Sequence, residues 1–111
     1  MSELATKRCL PCEGGVAALS HADANRLMHQ LKPHWKLLDG DRKLQATLEF
    51  KNYFRTLAFV NAAAYIAIRE DHHPDISFGF KTATVTYWTH AIGGLSDNDF
   101  ICAAKIDALT D

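Results

Sequence analysis

The stretch from Asn52 to Pro74 constrains this chain most. Phe54, Leu57, Ala58, Asn61, Ala62, Tyr65 and Ile66 recur at three- and four-residue spacing, the period of a helix with one apolar face. Asn52 is placed to cap that helix. Pro74 is placed to stop it, because the residue before a proline is pushed out of helical backbone. The helix therefore ends near Asp71 and leaves His72-His73-Pro74 at its exit. The small side chains of Ala58, Ala62, Ala63 and Ala64 would let it lie close against a sheet.

On both sides of this helix the period changes to that of strands. Trp35-Lys36-Leu37-Leu38 and Lys43–Phe50 flank the turn Asp39-Gly40-Asp41, and the second run alternates polar and apolar with one slip at Thr47-Leu48. Ile76–Phe80 and Thr82–Thr89 make a second pair, the latter rich in β-branched and aromatic residues. In an extended backbone Thr82, Thr84, Thr86, Trp88 and His90 share one face, and Ala83, Val85, Tyr87 and Thr89 the other. A first helix, capped by Ser20, carries Leu27, Met28 and Leu31 and ends before Pro33. A last one follows Gly93-Gly94, with capping-box spacing from Ser96 to Asp99 and Leu95 and Phe100 set as a hydrophobic staple, and runs to about Leu109. The order αββαββα predicts an α+β fold, a four-stranded antiparallel sheet with helices packed on one face. Residues 1–19, with Cys9-Leu10-Pro11-Cys12-Glu13-Gly14-Gly15 in their midst, read as a flexible N-terminal leader, and 20–111 as one domain.

Composition narrows the function. At 111 residues there is room for one ordinary domain. A formal net charge of -1 gives no electrostatic footprint for direct nucleic-acid binding. No signal-like N-terminus and no apolar run of about 18 residues stands in the sequence, so a membrane partner is not expected. Three cysteines suit a disulfide framework poorly, and the expected location is the cytoplasm with reduced thiols.

The stretch Glu70-Asp71-His72-His73-Pro74-Asp75, with Thr89-His90-Ala91-Ile92-Gly93-Gly94-Leu95-Ser96 and Asp99 downstream, carries the chemistry. Histidine gives and takes a proton near neutral pH, so His72, His73 and His90 together suit a reaction that protonates a departing hydroxyl while another site loses a proton. A metal is not expected. Adjacent residues point about 100° apart on a helix, so His72 and His73 make awkward joint ligands, and neither HExxH nor a second CxxC is present.

Spacing then carries a resemblance. His-His-Pro, an aromatic six residues beyond the proline (Phe80), a histidine ten beyond that (His90) and an aspartate nine further on (Asp99), with Thr-His-x-x-Gly-Gly-Leu-Ser, look like the pterin-4a-carbinolamine dehydratases. The likeness covers about residues 20–110. It implies a homo-oligomer joined through its sheet or helices, with no cofactor beyond the pterin substrate. The implied reaction is loss of water from 4a-hydroxytetrahydrobiopterin to give the quinonoid dihydropterin, which recycles the cofactor of aromatic amino-acid hydroxylases. His72, His73 and His90 would contact the pterin and share the proton transfers, and Asp71, Trp88, Thr89 and Ala91 would line the same pocket, with Asp99 in support. The assignment of roles is His73 and His90 to proton transfer and His72 to orienting the substrate. One position departs from the pattern: Ile68 stands where family members often carry a carboxylate. The alternative function is a non-catalytic binding or regulatory protein on the same fold, a hydroxylase regulator or a transcription-factor dimerisation partner.

Plainer readings stand beside these. Asp99 in a first helical turn is stabilised by the helix dipole and free N–H groups alone. Trp88 is either a pocket wall or sheet packing, and Trp35 is expected in the core. Cys9 and Cys12 form a lone CxxC, weak evidence for metal or redox work, and Cys102 reads as a small buried residue. His21, His29 and His34 are expected to be exposed, and Tyr53, Phe54, Phe59 and Tyr65 to serve packing.

Overall fold

In the computed structural model, which describes residues 3–10 and 17–110, helix α1 (His21–Met28) precedes strands β1 (Trp35–Leu38) and β2 (Lys43–Glu49). Helix α2 (Tyr53–Glu70), strands β3 (Asp75–Phe78) and β4 (Thr82–Tyr87) and helix α3 (Asp97–Asp107) follow, with short 3-10 turns at Glu3–Thr6 and His90–Ile92. The strands form one antiparallel sheet in the order β1-β2-β4-β3. The expected order and fold class are those observed.

Local chemistry starts each helix where the sequence places it. The Ser20 side chain accepts from the Asp23 N–H and that of Asn52 from the Arg55 N–H. At the far end of α2, Asp71 sits in the left-handed region (φ 51°, ψ 42°) and closes the helix with its N–H on Ala67 and Ile68. Within the sheet the two-residue period sorts the faces. Leu44, Ala46 and Leu48 on β2 and Ala83, Val85 and Tyr87 on β4 are buried, whereas Gln45, Thr47, Thr84 and Thr86 meet across the other face through Gln45–Thr86 and Thr47–Thr84 side-chain hydrogen bonds.

Helix α3 is buried along nearly its whole length, Asn98 to Ala104 together with Ile106 and Asp107. Its last turn is anchored by Asp107, whose carboxylate accepts from Trp35 Nε1 (2.8 Å), the Lys32 N–H (2.8 Å) and His34 Nε2 (2.9 Å). Trp35 is therefore core, as expected, while His34 is only partly exposed and is paired, unlike the free surface histidine that its sequence context suggests. The small-residue stripe of α2 also differs from expectation. Thr56, Phe59 and Ala63 are the buried residues of that helix, and Ala58 and Ala64 face solvent. Phe54, Tyr65 and Ile68 are exposed as well, so the apolar content of α2 exceeds what the sheet covers.

The described residues of the leader make specific contacts with the domain. Leu4 is buried in the common core, and the Lys105 ammonium donates to the Ala5 carbonyl. Glu70, at the end of α2, accepts from the Cys9 N–H (2.8 Å) and pairs with Arg8 (3.1 Å). Asn98 brackets Leu10 from both sides of its peptide, donating to its carbonyl and accepting from its N–H. Cys12 lies outside the described residues.

Two outcomes follow. Asp107→Ala leaves the donors of Trp35 and Lys32 unsatisfied and should cost about 2–4 kcal/mol in urea unfolding, against about 0.5 kcal/mol or less for exposed Lys36→Ala. Glu70 supplies a pH effect. Burial raises its carboxyl pKa, but the Cys9 N–H, Lys105 and Arg8 outweigh burial and hold it below the ordinary glutamate value. A carboxyl depressed in the folded state contributes stability above its unfolded pKa and loses it as pH falls through the folded one. Acidification below the ordinary carboxylate range should lower the protection of the Cys9 amide, its exchange rate being taken relative to an unstructured peptide at the same pH, and Glu70→Gln should abolish that pH dependence of protection.

Candidate active site

The exit of α2 separates two adjacent imidazoles. After left-handed Asp71, the His72 N–H still bonds back to the Ala67 carbonyl, and Pro74 then turns the chain into β3. His72 goes inward: its Nε2 lies 2.6 Å from Asp99 Oδ1, and its ring stacks on Tyr87 at 5.9 Å with planes 5° apart. His73 is exposed and approaches His90, ring centre to ring centre 5.9 Å.

His90 comes from the far end of β4. The extended run stops at Tyr87, two residues short of the expected Thr89, because Thr89 bridges back to Gly94 and His90 begins a 3-10 turn. Gly93 closes that turn at φ 60°, a backbone region that glycine enters without strain. Gly94 is required for a different reason: a Cβ there would lie 2.8 Å from the Ala18 side chain, where the incoming leader bonds Leu19 N–H to the Leu95 carbonyl. His90 packs on Trp88 at 4.4 Å, and the Lys43 ammonium lies over the indole at 4.7 Å. Trp88 is thus a wall of the site.

Asp99 takes the helix-start position that its plain reading gives and also meets His72. Its side chain is fully buried. Oδ2 accepts from the Ser96 N–H (2.9 Å), the carboxylate half of a capping box, and from the Thr89 hydroxyl (2.8 Å), which also meets Ser96 Oγ at 2.7 Å. Oδ1 is left for His72. An ionised carboxylate only accepts, so His72 presents Nε2–H to it and is held in one tautomer. Beneath, burial followed by the neighbouring Cys102 and Asp99 pushes the Tyr87 phenol well above the ordinary tyrosine pKa, which keeps the ring neutral against the imidazole.

Between these elements lies a cleft of about 360 Å³, within the range of small-ligand sites. Asp71, His72, His73, Trp88, Thr89, His90 and Ala91, all expected there, line it. Asp99 stands behind the wall. Thr89 is buried with its hydroxyl spent on Asp99 and Ser96, so it braces the wall. Cys9, Leu10, Glu70 and Asn98 also line the cleft and were not expected there. Leader residues carry no periodicity, so nothing in the sequence pointed to Cys9 and Leu10; Glu70 opens the histidine stretch but was not assigned to the pocket. Ile68 is 77% exposed and outside the cleft, whereas the Glu70 carboxylate is engaged by the leader. Among the described residues no three of His, Cys, Asp or Glu converge as metal ligands. A larger hollow of about 750 Å³, bordered by Lys32, His34, Glu49 and Arg55, contains none of the three clustered imidazoles.

Known proteins resemble this chain in sequence and in fold. The family described as pterin 4 alpha carbinolamine dehydratase matches residues 17–109. A protein of Nitrosomonas europaea provisionally named pterin-4-alpha-carbinolamine dehydratase is 53% identical, over 96% of this chain and 93% of its own. One of Nitrosospira multiformis with the same name is 54% identical over 98% and 94%. The crystal structure of a transcriptional coactivator/pterin dehydratase from Brucella melitensis superposes with a TM-score of 0.80 at 26% identity, covering 85% of this chain and 99% of that one. A pterin dehydratase-like protein described as a RuBisCO assembly factor in the alpha-carboxysome reaches 0.60 at 26% identity, over 68% and 87%. By sequence along nearly its whole length, and by fold, the chain belongs to the pterin-4a-carbinolamine dehydratase family and is a dehydratase of that kind.

Proposed function

We propose that this enzyme removes water from 4a-hydroxytetrahydrobiopterin by histidine acid–base catalysis and so returns the cofactor of aromatic amino-acid hydroxylases to use as quinonoid dihydropterin. One observation carries the histidine roles: His72 is tied to buried Asp99, while exposed His73 and His90 stand 5.9 Å apart over the cleft. An imidazole whose Nε2 is spent on a carboxylate orients; two exposed ones are placed to exchange protons. As the C4a–O bond breaks, the hydroxyl leaves as water with a proton from one of His73 and His90, and the other accepts the proton the pterin loses. A flat heterocycle suits a cleft walled by the Trp88 indole and by Asp71 and Ala91. Each positioned acid or base contributes about 10²–10⁴-fold, so two such groups provide ample acceleration with no cofactor.

The wider setting belongs to the same proposal. No described helix is long and apolar enough to cross a membrane, which accords with work in the cytoplasm beside a hydroxylase. Exposed Phe54, Tyr65 and Ile68 on α2 offer an apolar surface for self-association into a homo-oligomer. The alternative, a binding or regulatory protein on this fold, draws on the descriptions of the two solved relatives as coactivator and assembly factor. The intact imidazole cluster favours catalysis, because a scaffold has no use for it.

Stopped-flow measurement with freshly generated 4a-hydroxytetrahydropterin separates these readings. Acceleration over buffer is expected, and its absence with pterin still bound would leave only the regulatory role. His73→Ala and His90→Ala should each lower turnover about 10²-fold or more with little change in pterin affinity, whereas exposed His21→Ala should leave both unchanged.

A further inference from the structure

Outside the imidazole cluster, the fold brings together two thiols separated by 93 positions in the chain. Cys9 Sγ lies 3.4 Å from Cys102 Sγ and 3.6 Å from the Asn98 carbonyl. Neither is in a disulfide. Cys102 is wholly buried in the middle of α3, whereas Cys9 is half-buried and lines the cleft, and it stands at residue 9, ahead of the family-matched segment 17–109. We infer that Cys9 and Cys102 are an oxidisable pair, in which a peroxide entering the cleft converts the two thiols to a disulfide that fastens the leader to α3.

The geometry suits that step. Disulfide sulfurs lie about 2.05 Å apart, so the pair must close by about 1.4 Å, a distance within reach of side-chain rotation. Cys9 belongs to no helix or strand and can supply the movement. Access decides the order of events. The Cys9 thiolate attacks one peroxide oxygen and the O–O bond breaks, giving a sulfenic acid on Cys9 and a hydroxide that takes up a proton as water. The Cys102 sulfur then attacks Cys9 Sγ; the S–O bond breaks, the S–S bond forms, and the hydroxyl leaves with the Cys102 proton as a second water. Two thiols are oxidised and one peroxide is reduced to two waters. Cys102 is unsuited to attack first, since the hydrogen bond with Cys9 and burial both push its thiol pKa up.

The product has a consequence for the cleft. Cys9 and Leu10 form part of its wall, held now by the Cys9 N–H on Glu70, the Asn98 bracket on Leu10 and the Arg8–Glu70 ion pair. A covalent link makes that wall permanent under oxidising conditions, and a thiol reductant returns it to the hydrogen bonds and ion pair alone.

The test is covalent and independent of dehydratase activity. The full-length folded chain is treated with hydrogen peroxide, free thiols are alkylated, and peptides are mapped by mass spectrometry with and without reduction. A Cys9–Cys102 crosslink is expected in the wild type and in Cys12→Ser, reversed by reductant. It should be lost in Cys102→Ser and, should that buried substitution fail to fold, in Cys9→Ser. Thermal unfolding of oxidised wild type should shift upward relative to the reduced form, with no shift in Cys9→Ser. A Cys9–Cys12 link in place of the long-range one would overturn the proposal. So would Cys9 oxidised alone with Cys102 recovered as thiol.

Discussion

A single buried carboxylate joins the parts of this molecule that matter for its chemistry. Asp99 accepts from the N–H of Ser96, the cap of α3, from the hydroxyl of Thr89 beyond β4 and from His72 at the exit of α2. These three come from segments 27 and 10 positions away from it and from its own helix start. A charge with no exposure is tolerable only when its lone pairs are taken, and here the partners that satisfy it are the ones that must be positioned. The start of α3 and the inner wall of the cleft therefore share one carboxylate.

The remaining two imidazoles depend on that arrangement indirectly. His73 is where it is because His72 faces the other way, and His90 because the backbone of Thr89 bridges to Gly94 and a tight turn begins at His90. Neither is buried by packing of its own. The fold separates an inner imidazole held by Asp99 from two outer ones open to solvent, and the proposed division of roles rests on that difference.

Much of this was legible in the sequence because it rests on short-range rules. Asn52, Ser20 and Pro74 mark helix limits by local hydrogen bonding and ring geometry, and the alternation in β2 and β4 sorts their faces. The family resemblance implied Asp71, His72, His73, Trp88, Thr89, His90 and Ala91 around one pocket, and these residues border the cleft. What stayed hidden depends on contacts remote in the chain. Helix α3 is buried nearly all round, so its sequence shows little amphipathic period, and the Asp107 anchor and the paired state of His34 arise only in three dimensions. The alanines of α2 read as a packing stripe, yet of Ala58, Ala62, Ala63 and Ala64 only Ala63 is buried, beside Thr56 and Phe59. Cys9 and Leu10 had no pattern to betray them, since a segment without regular structure is positioned by its partners.

The left-handed Asp71 carries a consequence for how this surface can vary. One residue in that conformation decides which of two neighbouring imidazoles turns toward the interior and which toward solvent. That conformation narrows the position to residues that accept a positive φ, glycine, asparagine and aspartate foremost, so a β-branched side chain there would strain the link that holds both histidines.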